Sequence, residues 1–446
     1  MRENSISSES INKFQNNLSE NKTSDIIRRS VSKNGILASS TEIQSDELMK
    51  PVFSVEVSEK QDVPNQKQSG RCWMFAALNT MRYDLTKNFG LPADFELSQN
   101  FINFWDKFEK SNYFLENVLA TANEPINSRK VSFLMQTPQE DGGQWDMLCS
   151  LIEKHGLAPK SAMEETFNSE HSGQLNNVLN TKLRKNAKEL RKMVADSNSN
   201  DEINAKKESM LNEIYQILVY ALGKPADKFD FEYYDKDHKY NLVKDLTPID
   251  FYKQFLNLDL EDYVSIINSP TDDKPFNDTY TIEMLGSVVG GRSVKHLNLE
   301  IEEMKDLAIK QLKDGESVWF GCDVGKESDR QKGIMDTNLF HKDELLGADL
   351  SMSKADRLNY GESLMTHAMV LTGVDIVNGK PTKWKVENSW GDKVGTKGYF
   401  VMSDDWFNEF VYQVVVNTRY MSDEQKKNQQ KEPKMLDPWD PMGALA

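Results

Sequence analysis

Cys72 follows a turn-rich polar stretch, residues 64–71 (PNQKQSGR), and opens an apolar run in which Trp73, Ala76, Ala77, Thr80 and Met81 fall near helical spacing. A thiol at a helix N-terminus lies at the positive end of the macrodipole, which favours the thiolate. The first N–H groups of such a helix have no intrahelical partner and can donate to an oxyanion developing on a substrate carbonyl. Gln66, six residues upstream, is spaced to supply a second donor, with Gln68 as its competitor. The bland reading of Cys72 is a buried structural thiol, because cysteine is among the most buried residue types. The Gln-x5-Cys-Trp pattern at a loop–helix junction favours a nucleophile. The other two cysteines are expected in the core: Cys149 on the apolar face of a later helix, Cys322 alternating with Val318 and Phe320 on a strand.

A nucleophilic thiol needs a base. Of six histidines, His155, His171, His238, His296 and His341 sit in charged or loop contexts and need no special role. His367 stands at the head of an apolar strand, residues 366–373 (THAMVLTG), where a β element would hold its ring still. Asn388 lies on a neighbouring short strand, residues 384–391 (WKVENSWG). Its carbonyl can accept from one imidazole nitrogen and fix the tautomer, leaving the other nitrogen facing the thiol. Trp390 can cover that bond and exclude water. Together these residue types would suit nucleophilic chemistry at the thiol. No ligand cluster has zinc spacing, and neither metal nor cofactor is expected.

These groups need a scaffold. Residues 1–45 are polar and read as a loosely held arm with a short helix, and 51–71 as extended chain. A second helix begins at Ser98, a good N-cap, with Phe101, Phe104, Trp105 and Phe108 on one face. A third runs from Trp145 to His155 and ends at Gly156. From about 172 to 225 the chain is charged and helical, striped by Leu175, Leu179, Leu183, Leu190, Leu211, Ile214 and Leu218, with a loop at 197–201. After about residue 290 the texture is β-rich: 317–324, 368–376, 384–388, 398–402 and 412–417 read as strands. The tail, 426–446, is polar and Pro-rich. The organisation read from this is an N-terminal arm and lead-in (1–60), a helical half with the nucleophile (61–170), a helical insertion (171–285), a β-rich half with His367 and Asn388 (286–425) and a C-terminal arm (426–446).

Net charge is −16, which repels phosphate backbones and anionic lipid, so neither nucleic acid nor membrane is an expected partner. The basic stretch 182–192 (KLRKNAKELRK) reads as a solvated helix face. Three cysteines in 446 residues favour a reducing compartment, and the N-terminus has no apolar signal region, so a cytoplasmic location is expected. No run of about 18 apolar residues exists to span a bilayer.

The segments around Gln66, Cys72-Trp73, His367 and residues 388–391 (NSWG) resemble the signatures of papain-type cysteine peptidases. Residues 70–75 (GRCWMF), 141–147 (DGGQWDM), 159–163 (PKSAM), 321–325 (GCDVG) and 444–446 (ALA) are similar to the bleomycin hydrolase and bacterial aminopeptidase C branch. The resemblance runs from about residue 50 to the end. Cys72 and His367 stand 295 positions apart, about twice the roughly 130–150 of small papain-like chains, and the branch carries an insertion to match. The resemblance implies an α+β, papain-like fold: a helical domain on an antiparallel β-barrel-like domain, with the insertion and a C-terminal arm in the cleft. It implies that Gly142 and Gly143 line the substrate groove and that the Ala446 carboxylate meets the substrate α-ammonium. It also implies a cysteine aminopeptidase acting on peptides with a free N-terminus, a homohexamer, and bleomycin-type amide hydrolysis as a family capability. The alternatives are an endopeptidase of the same fold, a non-enzymatic binding protein on a dead peptidase fold, and a Cys/His acyltransferase, for which an Asp orienter in place of Asn388 would be usual.

Overall fold

The computed structural model describes residues 5–43, 49–58, 61–256 and 258–445. Two large apolar cores organise it, beside a small cluster of Met49, Ile334, Leu339 and Val401. One is built from helices around Trp73, Phe101, Phe104, Leu148 and Leu183, the other from sheet residues and the helices covering them, around Trp384, Trp406, Phe320 and Val414.

The central element is the helix Cys72–Phe89, which begins at the expected residue. It is buried on nearly every side, and so lacks the one-faced patterning of a surface helix. Arg71 at its N-cap makes no side-chain capping bond, which leaves the first N–H groups for other partners, and Gly90 ends it in the left-handed conformation. Helix Gln99–Ala120 starts where expected, with Ser98 Oγ accepting from Phe101 N at 3.0 Å. Helix Trp145–His155 ends at Gly156, whose φ of 76° and a Cβ position 2.2 Å from the Pro248 carbonyl carbon both demand glycine.

The charged region forms two antiparallel-spaced long helices, Gly173–Ala195 and Asn200–Leu222, the second opened by a Ser199/Glu202 capping box. The basic stretch lies on the first. It is tied down as well as solvated: Arg184 donates to the carbonyls of Met135 and Gln136, and Arg191 to those of Thr121 and Glu124, where earlier helices end.

Beyond Leu222 the structure departs from the expected all-helical insertion. A hairpin, Phe229–Tyr234 with Tyr240–Leu246, follows, and Tyr263–Ile267 and Thr279–Ile282 join the main sheet. The hairpin alternates Phe229, Phe231 and Tyr233 toward Phe251 and Phe255, a period-two signal inside a charged segment. The N-terminal residues also differ: three helices, Ser8–Glu20, Ser24–Asn34 and Ile36–Ser40, stand where one short helix is expected.

Among the described residues, twelve strands form one sheet. Its middle runs Tyr263–Ile267, Val411–Asn417, Val318–Cys322, His367–Val377, Lys380–Glu387, Tyr399–Ser403, all antiparallel neighbours. His367 is the first residue of its strand and pairs with Cys322; Val370 pairs with Glu387, which brings Asn388 level with the strand head. Cys149 and Cys322 are fully buried. So is His296, which lies within the sheet and not in the loop context expected of it: Ser265 Oγ bonds its Nδ1 at 2.7 Å. A three-residue strand carries too little periodicity to be seen in sequence. The C-terminal strand Lys434–Leu436 pairs in parallel with Thr279–Ile282. No helix among the described residues is long and apolar enough to cross a membrane.

Candidate active site

The loop before Cys72 is held from three directions. Arg71 is buried and makes a bidentate pair with Glu165, Nη1–Oε1 3.1 Å and Nη2–Oε2 2.8 Å, while its Nε donates to Ser69 Oγ. Gly70 N donates to Asp141 Oδ2 at 2.9 Å. Gln66 N donates to Ser389 O at 2.8 Å. The helix therefore begins at a defined place, and Cys72 is 3% exposed at its head.

The backbone N–H groups of Ala368 and Trp73 lie beside the Cys72 sulfur and favour its charged form. Ala368 directly follows His367, so the thiol sits beside the head of the histidine strand. Burial pushes the thiol up to about 11, against the backbone N–H groups of Ala368 and Trp73, which favour the thiolate. Burial likewise pushes the His367 imidazole down to about 4, against its bond to Asn388 and with a further lowering from Arg330. Each group alone is thus held neutral. Charge separation inside the pair requires transfer of a proton from Sγ to the ring, each charge stabilising the other.

His367 Nε2 bonds Asn388 Oδ1 at 2.9 Å, both residues being buried. The same Oδ1 accepts from Ser389 N at 2.7 Å, which orients the amide with its oxygen toward the ring. Nε2 is therefore the donor, and Nδ1 is left as the basic nitrogen. Trp390 stacks on the His367 ring, centroids 4.9 Å apart and planes at 29°, and Arg330 lies over Trp390 at 4.3 Å.

Gln66 is buried and Gln68 exposed. Gln66 Nε2 donates to Ser69 O at 2.6 Å within the loop that leads to Cys72, whereas Gln68 N is engaged with Glu170 O. Gly142 and Gly143 are buried between the helices Cys72–Phe89 and Gln99–Ala120. Lys110 Nζ donates to Gly142 O at 2.6 Å, and a Cβ on Gly143 would lie 2.5 Å from the Trp73 ring. Ala446 lies outside the described residues. Two residues before it, Ala444 O accepts from Gln144 Nε2 at 2.7 Å, and Gln144 is next to Gly143. Gly443, Ala444 and Leu445 wall a cavity of about 350 Å³ with Lys110, Tyr113 and Met147.

Asp141 was not singled out by sequence reasoning beyond its motif. Its carboxylate takes Lys107 at 2.6 Å, Gly70 N, Ser172 Oγ and Asn176 Nδ2, and its carbonyl takes Trp73 Nε1 at 2.7 Å. Burial raises its pKa, but Lys107 and the hydrogen bonds win and hold it well below the usual carboxylate range. One residue thus ties the loop before Cys72, the Gly142–Gly143 segment and the helix Gly173–Ala195. An acidic residue directly before two glycines was the available signal.

The model of the Peptidase C1-like family matches residues 5–443. Aminopeptidase C of Lactobacillus helveticus is 53% identical over 444 residues, which is 99% of this chain and 98% of that one. Aminopeptidase C of Listeria innocua is 52% identical over 99% of each chain. The crystal structure of PepW from Lactobacillus rhamnosis matches with a TM-score of 0.97 and 59% identity, over 99% of this chain and all of the other. The fold is that of the papain-like peptidases. The chain belongs to the Peptidase C1-like family.

Proposed function

We propose that this chain is a cysteine aminopeptidase that releases N-terminal residues from peptides, with Cys72 as nucleophile and His367 as base. The observation that carries the nucleophile is the Cys72 sulfur at a helix head, met by the N–H of the residue after His367. In the proposed cycle, Sγ gives its proton to the imidazole as it attacks the carbonyl of the first residue. The oxyanion is received by Cys72 N–H and the Gln66 amide. The imidazolium protonates the leaving amine, and the same imidazole then activates the water that opens the thioester. Asn388 holds the ring, and Trp390 shields their bond.

The arm reading gives the exopeptidase character. Gln144, beside the groove residue Gly143, binds Ala444 O, and two residues remain to reach the cleft. That contact supports placing the Ala446 carboxylate near a substrate α-ammonium, with the subsites beyond it blocked. Bulges in the strands at Leu371/Gly373 and Val411/Gln413 bend the sheet and support the barrel-like reading of the β-rich half. The five-part organisation (1–60, 61–170, 171–285, 286–425, 426–446), a cytoplasmic location, a homohexamer and a capacity for bleomycin-type amide hydrolysis are carried in the proposal by resemblance and composition.

The test compares an amino-acid arylamide with its N-acetylated twin on full-length protein, with a thiol alkylator as control. Cleavage of the free form alone, lost on alkylation, supports both parts. Equal cleavage of both removes the aminopeptidase reading and keeps the cysteine peptidase. Cleavage of neither favours a binding protein.

A further inference from the structure

The cycle above leaves one buried carboxylate at the site without a task. Glu387 ends the strand Lys380–Glu387 and directly precedes Asn388. It is 1% exposed. Both of its oxygens are taken by the nucleophile helix: Asn79 Nδ2 donates to Oε1 at 2.8 Å, and the Tyr83 hydroxyl donates to Oε2. Cys72, Asn79 and Tyr83 stand at i, i+7 and i+11. At about 100° per residue all three fall within about 20° of one line along the helix. The face that ends in the thiol is therefore fastened, two to three turns down, to the strand that ends in the residue holding His367.

The choice of side chain is informative. A carboxylate accepts at both oxygens, so two donors from one helix fix its position along its axis and its rotation about it. A glutamine of the same shape accepts at only one and turns an NH2 group against a donor. Burying the charge is costly without partners, and an apolar residue would pack two halves together at less cost. Burial raises the Glu387 carboxyl above the usual carboxylate range, and Arg82, anchored on Gln61 and on Asp62 O, the Tyr83 hydroxyl and Lys385 on its own strand work against that rise. Tyr399, its register partner, brings a hydroxyl 3.4 Å from that of Tyr83 and donates to Gln61 O.

We propose that Glu387 is a positioning residue for the hydrolytic reaction, setting the register of the nucleophile helix against the strand that carries Asn388, and through it the approach of His367 to Cys72. The inference rests on the roles proposed above for those three residues.

The experiment uses full-length Glu387→Gln, Tyr83→Phe and the double variant. It reads kcat and KM on a free-N-terminus arylamide, the rate of Cys72 alkylation by iodoacetamide, and the thermal midpoint. Misplacement of reacting groups by about 1 Å costs on the order of a hundredfold in rate. Glu387→Gln should lower kcat by about ten- to a hundredfold with KM within about twofold, and alkylation should slow in step. Tyr83→Phe should lose about three- to tenfold, and the double variant should be no worse than Glu387→Gln, since both remove one linkage. Unchanged kcat in folded Glu387→Gln, or losses that multiply in the double variant, would overturn the proposal. So would a lowered thermal midpoint with kcat intact. If Glu387→Gln does not fold, Tyr83→Phe and Asn79→Ala, which keep the carboxylate, carry the same test. Turnover surviving in Cys72→Ala would instead remove the underlying reading. An inactive Cys72→Ala beside a fully active Glu387→Gln removes this inference alone.

Discussion

The Ser389 hydroxyl donates to Gln66 Oε1 at 2.5 Å, and this bond decides which end of the Gln66 amide faces the loop before Cys72. Ser69 O, an acceptor only, meets the NH2 end at 2.6 Å, so both neighbours select the same orientation. Removing an oxyanion donor costs about 10²–10³-fold in kcat in comparable sites. Gln66→Ala should fall in that range with KM little changed. Ser389→Ala frees the amide to turn over and should cost less, about three- to tenfold. Steady-state kinetics on one arylamide separates them, and a Ser389→Ala loss equal to that of Gln66→Ala would contradict the orienting role.

A second expectation concerns the arm. Lys274 is 3% exposed and pairs with Asp440 at 2.8 Å, while the other Asp440 oxygen caps Met442 N at 2.8 Å. Arg129 lies over Trp439 at 3.8 Å. Asp440 therefore anchors the turn Pro441–Gly443 just before the residues proposed to reach the cleft. In Asp440→Ala the fold should survive, because Lys274 keeps Asp273 at 2.7 Å. The end of the chain should then slip, and a dipeptidyl arylamide should yield some intact dipeptide. Deleting residues 443–446 should go further and open N-acetylated substrates to cleavage. Product analysis by mass spectrometry reads both, and single-residue release from every variant would exclude the arm as gate.

Acid should weaken the fold through two histidines. His367 and His296 are both pushed down to about 4 by burial, against about 6.5 in an unfolded chain. Above about pH 6.5 both are neutral in either state and add no pH dependence. As pH falls, the unfolded chain takes up their protons first, so stability declines from about 6.5 to about 4, by on the order of a few kcal/mol for the two together. Urea midpoints at pH 7 and pH 5 should show the decline, and His296→Gln should make it shallower. An identical decline in that variant would remove His296 from the explanation.

Gly143 has a steric reason to be glycine, independent of any contact with substrate. Its missing Cβ would stand 2.5 Å from the Trp73 ring, and Trp73 is fully buried next to Cys72. Gly143→Ala should cost about 1–3 kcal/mol by overpacking. It should also disturb kcat, because the displaced indole adjoins Cys72, the proposed nucleophile. Denaturation and kinetics on the same preparation check both, and unaltered stability would count against the packing.

Much of the site was legible because its signals are local. Cys72 at a loop–helix junction, His367 heading an apolar strand, and Ser98 and Gly156 as helix start and stop are each written within a few residues. The strands His296–Asn298 and Thr279–Ile282 are too short to show a period, and the hairpin after Leu222 lies in a charged stretch that reads as more helix. The groups that brace the site were illegible for another reason. Asn79 meets Glu387 across 308 positions and Gly70 meets Asp141 across 71, and no pattern in one chain pairs residues so far apart.

The stack of Trp390 on His367 has an optical consequence. An imidazolium against an indole face accepts the excited electron and dims its emission, whereas a neutral ring does so far less. Trp390 is one of eight tryptophans, so the difference between the parent protein and Trp390→Phe isolates its light from the rest. That difference would report, without substrate, on whether the thiol or the imidazole carries the proton, and its change on acylation would time the transfer within a single turnover.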